Sequence, residues 1–354
     1  MITEKIFPLD FTATASARKR QDELLKPSGS LGELEEISIQ IAGITGRVKN
    51  TLDKKIHFLF GSDHGIFDEG VSASPQYFTK VLTELYATGR GGAINELCRK
   101  NNIELKIYDL GVKNLGRTPG INSDYKFMPG GTENFAHGRA MSPEIAERAV
   151  NLGISLVKKA KNENFNIIGT GEVGMGNTTP AAACIMAVLG NYDENLVGRG
   201  GGLTDEAFNK KKRVIISALN FHKPDKNNSL EILSCVGGLD IAAMTGIFLG
   251  AGIFRVPAVI DGVIAVAAAL LAMKINPLCR EFMIPSHKSL EPAYSAAAGE
   301  LKLKPFLDLN MRLGEGTGCP IAMQIIDDAL AIMNGMKTFD EINLESDYRK
   351  ELIQ

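Results

Sequence analysis

"FNIIGTGEVGMGNTTPAAACIMAVLG", residues 165–190, holds the fold in miniature. An apolar run, "FNIIGTG", gives way to a glycine-rich polar stretch and then to small apolar residues that continue far enough for a buried helix. The order is strand, loop, helix. It recurs along the chain. "KIHFLFG" (55–61) precedes the polar "SDHGIFDEGVSASPQ" and a helix from about 77 to 100. "IELKIYDLGV" (103–112), "VPAVIDG" (256–262) and "CREFMIPS" (279–286) read as further strands. Helices are expected at 12–25, 142–162, 205–220, 234–252, 262–274 and 321–336, with Ser142 as an N-cap and Pro143 in its first turn. The segment 113–140 reads as polar loop. Such alternation predicts an α/β fold whose mostly parallel central sheet is flanked by helices. In such sheets ligands sit beyond the carboxyl ends of the strands.

The bulk properties narrow the classes of function. A chain of 354 residues suits one large domain with a smaller lobe. Its 44% apolar and 23% charged residues are those of an ordinary globular protein. The net charge of −2, with both signs dispersed, argues against a nucleic-acid groove or a polybasic membrane patch. "KKKR" (210–213) reads as the solvated face of a helix. Cys98, Cys184, Cys235, Cys279 and Cys319 are odd in number and lack zinc or redox spacing, which fits a reduced cytoplasmic compartment. The first residues show no signal-peptide core. "VPAVIDGVIAVAAALLAM" (256–273) carries Pro257 and Asp261 and reads as a buried strand entering a buried helix, not as a membrane span.

Each polar cluster follows an expected strand: "SDHG" (62–65), "TGEVGMGNTT" (170–179), "DG" (261–262), "SHKSLEP" (286–292) and "GEGTG" (314–318). Loops from distant parts of the chain therefore converge on one rim. "GTGEVG" (169–174) has dinucleotide-fingerprint spacing, but Glu172 inside that loop would repel a pyrophosphate, and Asp193 lies in a turn. A helix N-terminus there still suits a single phosphate. "GRGGGL" (198–203), followed by Lys210, Lys211 and Arg213, favours anions but lacks a P-loop ending. His64 with Asp68 and Glu69, and His287 if it joins them, leaves a metal-dependent hydrolase open, although a lone His at a strand end is more often structural. There is no nucleophile elbow and no Cys with a persuasive His partner. Glu315 and Glu172 remain. Acids on glycine loops beside phosphate-binding elements suit deprotonation of a weakly acidic nucleophile that attacks a sugar phosphate.

Eight stretches in order carry a resemblance: "KPSGSLGELEEISIQIAGITG", "GSDHGIFDEGVSASP", "GEVGMGNTTPAAA", "GRGGGLTDEAFNKK", "VGGLDIAAMTG", "VPAVIDG", "SHKSLEP" and "LGEGTG". Over nearly its whole length the chain resembles the nicotinate-nucleotide–dimethylbenzimidazole phosphoribosyltransferases of cobalamin lower-ligand assembly. The resemblance implies a Rossmann-like core at 51–324 and a small helical lobe from 1–50 plus 325–354. It implies transfer of 5-phosphoribosyl from nicotinate mononucleotide to an aromatic base, with inversion and without cofactor or metal. Glu315 matches the general base and Glu172 a second carboxylate at the reaction site. Gly174, Met175, Gly176, Asn177, Thr178, Thr179, Gly200, Lys211 and Ser289 match the nucleotide and phosphate site, and Leu313 a wall of the base pocket.

The sequence departs from the family at Ser74–Pro75 and Val81–Leu82, where members often carry Tyr-Pro and Gln-Met facing the benzimidazole. The change leaves a more apolar pocket. That keeps dimethylbenzimidazole, a phenolic acceptor and adenine all in view, with the apolar acceptors favoured. The family also implies a homodimer, or a heterodimer with a paralogue. The alternative is a catalytically weak paralogue that supports an active subunit.

Overall fold

The computed structural model describes residues 2 and 4–345. Six strands form one sheet: β1 (Lys55–Ser62), β2 (Ile103–Gly111), β3 (Ile121–Asn122), β4 (Ile167–Val173), β5 (Ala258–Ile260) and β6 (Met283–Pro285). Their order is β3-β2-β1-β4-β5-β6, and every neighbouring pair is parallel. The expected parallel α/β sheet is therefore the observed one. β1 and β4 lie side by side where the order reverses, with Phe60 opposite Glu172 and Gly61 opposite Val173. That switch point opens a crevice at the carboxyl ends of both strands.

Twelve helices cover the sheet among the described residues. They are α1 (Phe11–Glu23), α2 (Glu33–Thr45), α3 (Phe78–Ala87), α4 (Ala93–Lys100), α5 (Pro143–Asn162), α6 (Thr178–Leu189), α7 (Asp205–His222), α8 (Ser229–Val236), α9 (Leu239–Phe254), α10 (Val263–Ile275), α11 (Pro292–Leu301) and α12 (Gly318–Gly335). The membrane-like stretch is β5 running into α10, whose residues Val263–Ala272 are all buried. No helix among the described residues is long and apolar enough to cross a membrane.

Four expectations need correction. The helix read at 77–100 is two helices, because Gly89 and Gly91 take left-handed φ values of 78° and 92°. The helix at 234–252 breaks at Gly237–Gly238; a Cβ on Gly238 would sit 2.6 Å from the His64 ring. Glu172 belongs to β4 and not to the loop, which begins at Gly174. No strand precedes "GEGTG": residues 302–317 are irregular, joined to the sheet region through a bridge between His287 and Leu307.

The first helix and the segment after α12 meet. Leu24 bridges Thr338, and Arg20 donates to the carbonyls of Met333 and Met336. Ala17, Ile39, Ala42 and Met333 form a small apolar cluster separate from the main core. Residues 1, 3 and 346–354 of the expected lobe lie outside the described residues.

Candidate active site

Beyond the carboxyl ends of the strands lies a cavity of about 190 Å³. The loop from β4 into α6 forms one wall. Gly174 is required there by close approach, since a Cβ would lie 2.3 Å from the Ser62 carbonyl oxygen. Gly176 adopts φ 89°, a value that side chains resist. Met175 N–H donates to Thr79 Oγ1 at 3.0 Å, and the Asn177 amide donates to Glu172 Oε2.

Glu315 stands on the opposite wall, in a run of three left-handed residues: Gly314 (φ 83°), Glu315 (62°) and Gly316 (77°). For Glu315 that conformation costs about 1–2 kcal/mol. Contacts from four elements hold it. Asp261 accepts from Gly316 N–H at 3.0 Å and from Gly318 N–H at 2.7 Å. Glu172 Oε1 accepts from Glu315 N–H at 3.3 Å. The Tyr86 hydroxyl of α3 donates to Glu315 Oε1. The His57 ring of β1 lies beneath Gly316, where a Cβ would sit 2.2 Å from it.

Burial governs the acids. It pushes the Glu172 carboxyl up to about 8, with Asp240 adding to it and Asn177 and Glu315 N–H opposing. Burial also raises Glu315; the Tyr86 hydrogen bond opposes that and Asp261 reinforces it. Asp261 is raised by burial against His287 and three backbone N–H groups. His57, fully buried, is lowered to about 3 and is neutral.

The cavity brings together Glu315, Glu172, Gly174, Met175, Gly176, Asn177, Thr178, Gly200, Ser289, Leu313, Ser74 and Leu82, all expected from the sequence. Four expected residues do not line it. Lys211 is one layer back: its Nζ donates to Thr178 Oγ1 at 2.7 Å and to the Gly198 carbonyl at 3.0 Å. Burial lowers it to about 8. Lys211 therefore departs from the solvated face read from "KKKR". Thr179 is buried inside the first turn of α6. Val81 is 49% exposed and Pro75 is also exposed, both off the cavity wall, because successive side chains of the segment cannot all face one way.

Arg312, His287, Glu291 and Ile264 also line the cavity and were not singled out for this site by the sequence. Tyr86 was missed too. Its signal was present, since it follows Leu82 by four residues on one helix face. His64 faces Asp240 at 3.4 Å, whereas Glu69 takes Asn134 and His137, so the grouping behind the hydrolase reading does not form. Gly169 and Gly171 of the dinucleotide-like spacing lie within β4, pressed against His57 and the Glu315 backbone.

A parallel sheet with this strand order thus brings a carboxylate on a left-handed loop and a glycine-lined helix N-terminus to one cavity. The chain matches the phosphoribosyltransferase family over residues 6–344 and belongs to it. It is 44% identical to the nicotinate-nucleotide–dimethylbenzimidazole phosphoribosyltransferase of Clostridium perfringens strain 13, over 97% of this chain and 94% of that one. With the enzyme of the same name from Geobacter sulfurreducens the figures are 42% identity and 97% of both chains. The crystal structure of CobT from Thermus thermophilus superposes with a TM-score of 0.89 at 37% identity, covering 95% of this chain and 99% of that one. The chain is thus a pentosyltransferase of cobalamin biosynthesis, as its motifs led one to expect.

Proposed function

We propose that the chain transfers 5-phosphoribosyl from nicotinate mononucleotide to an aromatic lower-ligand base, giving an α-riboside 5′-phosphate and nicotinate for cobamide nucleotide-loop assembly. The observation that carries this reading is Glu315, held on its strained loop across the cavity from the α6 N-terminus. Gly176 and Thr178 supply backbone N–H groups, Ser289 a hydroxyl and Arg312 a cation for the phosphate end, while Gly174, Met175, Asn177 and Gly200 shape its wall. Glu315 takes the proton from the acceptor's ring N–H or hydroxyl as the acceptor attacks C1′. The glycosidic electron pair returns to the pyridine ring, so nicotinate leaves without needing a proton. A single displacement inverts the anomeric centre.

Ser74, Leu82 and Leu313 give the acceptor end its character, together with Val263 and Ile264. Val81 contributes nothing to this wall, so the preference for an apolar acceptor rests on Leu82 and its neighbours. A buried unpaired purine nitrogen would cost roughly 1–3 kcal/mol. That favours dimethylbenzimidazole or a phenolic acceptor over adenine.

We read the functional unit as a dimer of this chain: Tyr77, Phe78, Val81 and Leu85 form an exposed apolar stripe on and beside α3, next to the cavity wall. Five buried, unpaired cysteines fit a reducing cytoplasm.

The test is nicotinate release from nicotinate mononucleotide with dimethylbenzimidazole, p-cresol and adenine offered separately, for the chain and Glu315→Gln. Consumption of one acceptor, lost in the variant, supports the reading. No reaction with any acceptor overturns it in favour of a supporting subunit.

A further inference from the structure

The phenol of Tyr86 reaches Glu315 from behind the cavity wall, although no step of phosphoribosyl transfer calls for it. Its residue is 2% exposed, and its hydroxyl donates to Glu315 Oε1. The ring cannot swing away. A Cβ on Gly92 would lie 2.3 Å from a Tyr86 ring carbon, so the turn between α3 and α4 closes on the ring edge. Asn95 then locks that turn: its Nδ2 donates to the Tyr86 carbonyl at 2.9 Å, and its Oδ1 accepts from Gly92 N–H at 3.2 Å. Glu315 Oε2 takes no hydrogen bond among the described residues, and Glu315 lines the cavity.

We propose that Tyr86 is a positioning residue for the base: it pins one oxygen of Glu315 and presents the other to the acceptor. This deepens the phosphoribosyltransferase reading and rests on it. A Phe would fill the same space, so what the hydroxyl adds is the hydrogen bond itself. The bond favours the ionised carboxylate. That matters because burial and the Asp261 carboxyl work the other way. Glu172 lies below it on β4, Asp261 behind it after β5, and neutral His57 beneath its backbone on β1. Arg312 is the cation of its own loop. Tyr86 thus both aims the base and favours its charged form against burial and Asp261.

The sign follows from the chemistry. Removing a donor to the charged form raises the carboxyl, so the acidic limb of kcat/KM moves to higher pH. A shift of about one unit is expected for a lost charge-assisted hydrogen bond. Below the limb kcat/KM falls roughly tenfold, and raising the pH restores most of it, while KM for nicotinate mononucleotide stays within about twofold.

The experiment compares the full chain with Tyr86→Phe, Glu315→Gln and the double variant. The first readout is a ¹³C-carboxyl NMR titration in which the Glu315 resonance is assigned by its absence in Glu315→Gln. The second is the pH–rate profile of transfer with each acceptor. An upward move of both the titration and the limb in Tyr86→Phe, and no added effect of Tyr86→Phe on Glu315→Gln, support the inference. An unchanged Glu315 titration, or effects that multiply independently, overturn it. If the full chain transfers to no acceptor, the functional reading and the role of aiming a base fall together. The titration then still decides whether the two side chains are coupled, so the two failures are told apart.

Discussion

The backbone N–H of Glu315 donates to the side chain of Glu172 at 3.3 Å, tying the acid on the irregular loop to the acid at the end of β4. One carboxyl group therefore shapes the loop that carries the other. Gly314 leaves room for it, since a Cβ there would lie 2.8 Å from Glu172 Oε1. With its pKa pushed up to about 8, Glu172 is mostly protonated at neutral pH. Its folded value exceeds the unfolded one, so its stabilising protonation is complete below about pH 4.5 and is lost as pH rises through 8. Glu172→Gln keeps the shape and removes this loss. Its melting temperature should gain on that of the original chain between pH 5 and 9, by an amount equivalent to a few kcal/mol at the alkaline end. Thermal melts across that range check it; parallel curves would refute the assignment.

His57 predicts the opposite slope. It is fully buried, which lowers its pKa to about 3 against the opposing pull of the Glu315 backbone. The unfolded chain protonates it near 6.5 while the folded chain does not, so stability falls as pH drops from 6.5 toward 3. By pH 5 the loss amounts to about 2 kcal/mol. His57→Leu, close in volume, should flatten this acid limb. Urea unfolding at pH 7 and pH 5 measures it, and an equal loss in both chains would sink the idea.

The sequence was informative where chemistry repeats and silent where contacts are made across the fold. Apolar runs located five of the six strands; β3, two residues long, pairs with β2 through a segment with no strand pattern. The glycines of "LGEGTG" signalled a special backbone, but which partners imposed it was invisible. His57 comes from β1 and Asp261 from the turn after β5, and only the sheet order brings both beneath Gly316 and Gly318. Lys211 shows the limit of charge runs. "KKKR" winds around a helix, so one of its members must face inward, and the run itself does not say which. Tyr86 was legible only as a member of a helix face, because its partner lies 229 residues away.

Two glycines should respond in opposite directions to the same substitution. Gly316 has φ 77°, and a Cβ would meet the His57 ring at 2.2 Å. Gly316→Ala should cost roughly 2 kcal/mol or more and displace Glu315 from its partners. Gly299, inside α11, has nothing within 4 Å of an added Cβ. Gly299→Ala should be neutral or stabilise by up to about 1 kcal/mol. Melting temperatures of the two variants check the contrast, and transfer activity should be lost only in the first.

Lys211 separates binding from chemistry. Its ammonium reaches Thr178 Oγ1 and the Gly198 carbonyl from behind the cavity wall, so it joins the α6 N-terminus to the loop that carries Gly200. Burial lowers it to about 8, which leaves it mostly protonated at pH 7, with Glu291 favouring the charge. Lys211→Met should loosen that junction and remove positive charge from the phosphate end. Because the phosphate keeps its charge throughout the transfer, the loss falls on uniform binding. KM for nicotinate mononucleotide should rise roughly tenfold while kcat changes little. Steady-state kinetics at saturating acceptor give the split. A large fall in kcat with KM unchanged would instead place Lys211 at the reacting centre, which its position behind Thr178 argues against.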